Sequence, residues 1–201
     1  MKFKQKPKYR EHCYLERVDN IDTWNSSVIL DPYLLGLWLG DGSTSAPEIE
    51  SMDYEVISYL QDYADTHNLR TYIRPSKESK SVTIRLSSLN NKTRGQSSKN
   101  PLIEQLRNLN IYDNKDIPDQ YIYTSVENRL KLLAGLIDTD GSVYKQKDNR
   151  TGYIEFTQCV SRKHIIDKFV FIARSLGFKV GVKKLKSKIC KIHNNKNISY
   201  P

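Results

Sequence analysis

Residues 133–141 read Leu133-Ala134-Gly135-Leu136-Ile137-Asp138-Thr139-Asp140-Gly141, and this stretch decides the fold. It is an apolar run with small residues four apart, Gly135 and Thr139, and it closes on two carboxylates and a glycine. A weaker copy lies upstream, Leu34-Leu35-Gly36-Leu37-Trp38-Leu39-Gly40-Asp41-Gly42, matching at Leu34/Leu133, Gly36/Gly135, Leu37/Leu136, Asp41/Asp140 and Gly42/Gly141. Positions four apart share one helix face, and small residues on facing stripes let two helix backbones approach closely. Side by side, the two helices would bring Asp41 and Asp140 together at their C-terminal ends. Carboxylates that close repel, so either one takes up a proton or a divalent cation bridges them, and hard oxygen ligands favour Mg2+. Such an ion can generate hydroxide and stabilise a phosphoryl transition state. One copy alone would read as a core helix with an ordinary cap; the duplication selects the metal-binding reading. Asp138 is set apart, because Leu39 stands at its place in the first copy, and it is expected to serve local capping.

At 201 residues the chain can bury a sizeable core, as one domain or as two similar halves. Thirty-two Lys and Arg against 23 Asp and Glu leave a net +9, which favours a polyanionic partner over an acidic metabolite. The excess is local: from Ser142 onward there are 14 basic and 3 acidic residues. Cys13, Cys159 and Cys190 are odd in number and lack metal-ligand spacing, so no disulfide framework or structural zinc is expected. That usage fits a reducing compartment, cytoplasm or nucleus. No secretory leader is apparent, and no stretch approaches the ~18–20 apolar residues of a membrane span.

The elements repeat in order. Residues 1–30, basic at the start and without periodicity, read as a linker or arm. Asp31-Pro32 predicts a helix N-terminus running through Leu39. A strand is predicted around 46–51, an amphipathic helix over 54–67, strands over 69–74 and 81–87, and a short helix over 101–109. The order then restarts with a helix over 126–139, strands near 142–147 and 152–158, and a helix over 162–176 with Ser161 as N-cap and Gly177 as its stop. Residues 178–186 alternate like a strand, and a last strand is expected near Ile189 or Ile198. The class is α+β, in halves 31–125 and 126–201. The second half lacks a counterpart of the 101–109 helix and is expected to be truncated.

The strand alternation places Arg70, Tyr72, Arg74, Thr83 and Arg85 on a wet face, with Tyr153, Thr157, Lys179, Lys183 and Lys186 as counterparts in the second half. Such a face suits phosphate contacts through its cations, and base edges through its polar and aromatic groups. His12, His67, His164 and His193 are scattered and are expected to be surface or packing residues.

Residues 133–141 differ at one position from the signature of the LAGLIDADG (dodecapeptide) homing endonucleases, and the chain resembles that family over roughly residues 30–200. The resemblance is to the intein-encoded type found in the vacuolar-ATPase intein. It extends to Asp31–Gly42, to Asn100-Pro101-Leu102, to Lys115-Asp116-Ile117-Pro118 and to Ala173-Arg174-Ser175-Leu176-Gly177. It implies two pseudo-symmetric αββαββ halves forming a saddle over double-stranded DNA, with one chain supplying both halves and acting as a monomer. It further implies Mg2+-dependent hydrolysis of both strands. By match to the motif, Asp41 and Asp140 become the metal-binding catalytic pair, and the main-chain carbonyls of Gly40 and Thr139 become additional ligands. Lys115 matches the lysine that acts near the scissile phosphate. A non-catalytic member of the same fold, of regulator or RNA-maturase type, is the alternative.

Overall fold

Asp31 starts the first helix, α1 (Pro32–Asp41), through its side chain: the carboxylate accepts from the N–H groups of Tyr33 and Leu34, and Pro32 fills the first position, where no donor is needed. The computed structural model describes residues 19–76, 79–89, 100–145, 152–184, 189–191 and 197–199. Helix α1 is apolar all round and is buried accordingly, with Leu34, Leu35, Leu37, Trp38 and Leu39 shielded from solvent. After β1 (Glu48–Ser51), α2 (Tyr54–Thr66) turns Val56, Leu60, Tyr63 and Ala64 inward. Strands β2 (Leu69–Pro75) and β3 (Val82–Ser88) complete an antiparallel sheet in the order β1-β3-β2. Ile49, Leu69, Ile84 and Leu86 line its inner side. Asn100 caps α3 (Pro101–Asn108) by accepting from the N–H groups of Leu102 and Ile103.

A short helix, α4 (Asp119–Ile122), precedes α5 (Val126–Asp140), which is capped by Ser125. Strands β4 (Gly141–Tyr144) and β5 (Tyr153–Phe156) pair antiparallel, and a 3-10 turn at Val160–Arg162 leads into α6 (Lys163–Ser175). Strands β6 (Ile189–Lys191) and β7 (Asn197–Ser199) form a separate antiparallel pair. The architecture is α+β. Helix α5 lies against α1 with glycine facing glycine. A Cβ on Gly36 would stand 2.6 Å from the Leu132 carbonyl oxygen, and one on Gly135 would collide with the Tyr33 carbonyl.

Four expectations need correction. Ser161 does not cap α6, because the 3-10 turn intervenes and puts Arg162 at the cap position without a side-chain bond. The stop is as predicted: Gly177 takes φ 82°, its N–H reaches the Arg174 carbonyl, and the Phe178 N–H reaches that of Ala173. Residues 178–184 form no strand; Phe178 and Val182 are 51 % and 65 % exposed, and of the alternating apolar residues only Val180 packs partly against the core. Residues 21–30, read as part of an arm, are a strap over the body of the protein. Ile21 N–H donates to the Ser175 carbonyl (2.8 Å), Ser26 N–H to Tyr123 (3.0 Å), and Leu30 N–H to the Tyr121 hydroxyl (3.0 Å). Trp24 packs edge-on to Tyr123 and stacks with Phe171, while buried Arg129 donates to the carbonyls of Thr124 and Ile21 and to Ser175 Oγ. Finally, Asp138 caps nothing local: its Oδ2 accepts from the Tyr33 hydroxyl across the helix pair, at 2.7 Å.

Candidate active site

Asp41 and Asp140 are the last residues of α1 and α5, and the pairing of Gly36 with Gly135 and of Gly40 with Thr139 makes the two helices run in the same direction. Both C-termini therefore end together. Each carries a partial negative charge from its unpaired carbonyls, and neither helix has a basic residue in its last turn to offset it. Loss of hydration raises the Asp41 carboxyl above the usual carboxylate range, and the charge of Asp140 adds to the effect. Asp140 is raised by burial too, against the amide of Gln158, which donates to its Oδ2, and against the charges of Arg162 and Lys115.

One cation beside the pair comes from an irregular segment. Lys115 lies between α3 and α4, only 6 % exposed, and its Nζ donates to the Gly40 carbonyl at 3.0 Å while resting 5.2 Å from the centre of the Trp38 ring. Burial, aided by Arg162, pushes it down to about 8, against the pull of Asp41 and Asp140. An amine so placed can donate or accept a proton near neutral pH. Thr139 faces Gly40 across the interface, and its hydroxyl donates back to the carbonyls of Gly135 and Leu136.

This donor set suits a hard divalent cation. Two carboxylates of raised basicity meet at two negative helix ends, with main-chain carbonyls beside them. Among the described residues no third His, Cys, Asp or Glu joins a ligand cluster, so carbonyls and water would have to complete the coordination.

The first sheet gathers one group of predicted residues on a single face. Cross-strand register aligns Glu48, Arg85 and Tyr72 in one rung, Glu50, Thr83 and Arg74 in the next, and Ser87 with Arg70 beyond. Glu48 was not foreseen there; Arg74 and Arg85 both contact its Oε1, at 2.9 and 3.3 Å. In the second half Tyr153 stacks on Tyr144 across β4 and β5, and exposed Thr157 follows at the strand end, its N–H on the Asp140 carbonyl at 3.3 Å. Lys179 and Lys183 are exposed but on no strand, and Lys186 lies outside the described residues. Gln158, Arg162 and Tyr33 also went unnoticed in the sequence. Only Gln158 carried a signal, since it continues the β5 register toward the end of α5.

Residues 116–201 match the family model described as homing endonuclease. The chain is 32 % identical over 162 residues to the homothallic switching endonuclease of Saccharomyces cerevisiae, covering 75 % of this chain and 28 % of that protein. It is 31 % identical over 123 residues to the replicative DNA helicase DnaB of Mycobacterium intracellulare, 61 % of this chain and 16 % of that one. A third relative is the ATP-dependent DNA helicase Hel308 of Thermococcus kodakarensis, 32 % identical over 130 residues, 62 % of this chain and 11 % of the helicase. The chain thus spans less than a third of the length of these relatives.

Proposed function

We propose that this chain, whose residues 116–201 match the homing endonuclease model, is a site-specific, Mg2+-dependent endonuclease of double-stranded DNA, of the LAGLIDADG type and derived from an intein. The observation that carries the reading is the meeting of Asp41 and Asp140 at the ends of two tightly packed helices, beside Lys115 on the Gly40 carbonyl. Residues 31–125 and 126–201 act as pseudo-symmetric halves of a DNA-binding saddle, each contributing one carboxylate, so a monomer suffices. The intein-type blocks at Asp31–Gly42 and Lys115–Pro118 support the origin.

In this reading Asp41 and Asp140 hold the ion, with the main-chain carbonyls of Gly40 and Thr139 as further ligands. A bound ion would make water more acidic and offset charge on the phosphoryl group. Lys115 stands beside the phosphate and exchanges a proton at Nζ; its burial keeps water from competing for that contact. Arg70, Arg74 and Arg85 contact the DNA backbone, and Tyr72, Thr83, Tyr153 and Thr157 meet base edges. Lys179, Lys183 and Lys186 add phosphate contacts. No helix among the described residues is long and apolar enough to cross a membrane.

The test is incubation of the folded chain with a library of plasmid targets. Cutting of a defined target with Mg2+, and none with EDTA, is the expected result. Uncut targets throughout would refute the enzymatic reading.

A further inference from the structure

Lys115 has no secondary structure of its own to aim it, since residues 111–118 belong to no helix or strand. It is held instead from α6. His164 Nε2 donates to the main-chain carbonyl of Lys115 at 2.9 Å. One turn further on, Lys168 Nζ donates to the Ile117 carbonyl (2.6 Å) and to Asp116 Oδ2 (2.8 Å), and it faces Asp119 Oδ1 at 3.5 Å. The two side chains are four positions apart and so share a helix face. Within the turn, Asp116 Oδ1 accepts from the Ile117 N–H at 2.8 Å, and the Ile117 side chain is fully buried. The turn is therefore fixed at three consecutive residues, and the only long group it sends the other way is Lys115, whose Nζ ends on the Gly40 carbonyl.

We infer that His164 and Lys168 are positioning residues, which aim Lys115 at the reacting phosphate by gripping its own carbonyl and the backbone two residues beyond it. The inference rests on Lys115 acting as proposed above. It gives His164 a task beyond surface packing, and it makes α6, in the second half, responsible for a reactive group carried by the first. The Lys168 contacts differ from an ordinary surface pair because they include a main-chain carbonyl and are half-buried. On the same helix, Lys163 with Asp167 is the ordinary case, an exposed pair four apart, and it serves as the control.

The test uses the full chain and two readouts. Reductive methylation with formaldehyde and a borane reductant, mapped by mass spectrometry, reports how well Lys115 is held without requiring activity. Lys115 should label far more slowly than exposed Lys179 in the wild type, and about tenfold faster in folded His164→Phe and in Lys168→Met. His164→Gln, which keeps an N–H donor, and Asp167→Asn should label as the wild type does. On a cleaved target, His164→Phe should slow single-turnover cutting by about 10–100-fold with DNA affinity unchanged. It should cause no further loss in a Lys115→Met background, whereas a merely structural role would still cost activity there. Wild-type labelling of Lys115 in both folded variants would overturn the inference, as would additive losses in the double variant. Faster labelling in a protein that cuts no target would uphold the positioning and overturn the endonuclease reading instead.

Discussion

Asp41 and Asp140 occupy the helix positions least hospitable to a carboxylate, and each is held above its ordinary pKa. A carboxyl whose pKa is raised by folding contributes stability that is fully present below its unfolded value and is lost as pH rises through the folded one. At neutral pH, without a cation, the pair therefore works against the fold. Asp140→Asn in EDTA at pH 7 should melt at a higher temperature than the wild type, and the gap should close as pH falls through the carboxylate range. Mg2+ should raise the wild-type Tm and leave that of the variant nearly unmoved, because only the wild type keeps the paired site. Thermal melts across pH, with and without Mg2+, check this; an Asp140→Asn that melts lower in EDTA would contradict it. The placement of Asp41 and Asp140 at paired helix ends was legible because they recur at one place in two copies of a motif. Gln158, His164 and Lys168 were not, since each is a single polar residue whose partner lies elsewhere in the sequence.

The helix pair α1 and α5 sets the separation of the carboxylates, and glycine sets the separation of the helices. At an exposed helix position Gly→Ala stabilises by roughly 0.5–1 kcal/mol. Gly36→Ala and Gly135→Ala should reverse that sign, because the added methyl meets backbone on the partner helix. A loss of about 1–3 kcal/mol is expected from overpacking, read as a lower urea midpoint; an unchanged or raised midpoint would show that the interface is loose. The elements with a strong local signature were legible: α1 from Asp31-Pro32 and its apolar run, and β3 from alternation against a buried Ile84 and Leu86. Helix α4 is four residues long and leaves no period to read. The strap over residues 21–30 has none either, being held by backbone bonds and by Trp24 against Tyr123 and Phe171. Residues 178–184 show the reverse error, an alternation in which only Val180 packs against the core.

On the scale of the whole molecule, the positive charge and the sheet face are separate matters. The excess of Lys and Arg lies from Ser142 onward, while the first sheet face interleaves Glu48 and Glu50 with its arginines. Arg74 and Arg85 are extended over that face by Glu48, and Arg70 by the Leu89 carbonyl and the Tyr72 hydroxyl. Ordered side chains of this kind suit a defined target better than general attraction to phosphate, which would come from the second half. The strap ties the two parts through Arg129, whose buried guanidinium spans Ile21, Thr124 and Ser175. The proposed function requires both carboxylates to act together on one DNA target. Its most direct test compares binding and cleavage of one selected target by the wild type, Asp41→Asn and Asp140→Asn in Mg2+. Both variants should bind as the wild type does and cut neither strand; cutting by either variant at the wild-type rate would rule out a joint catalytic role for Asp41 and Asp140.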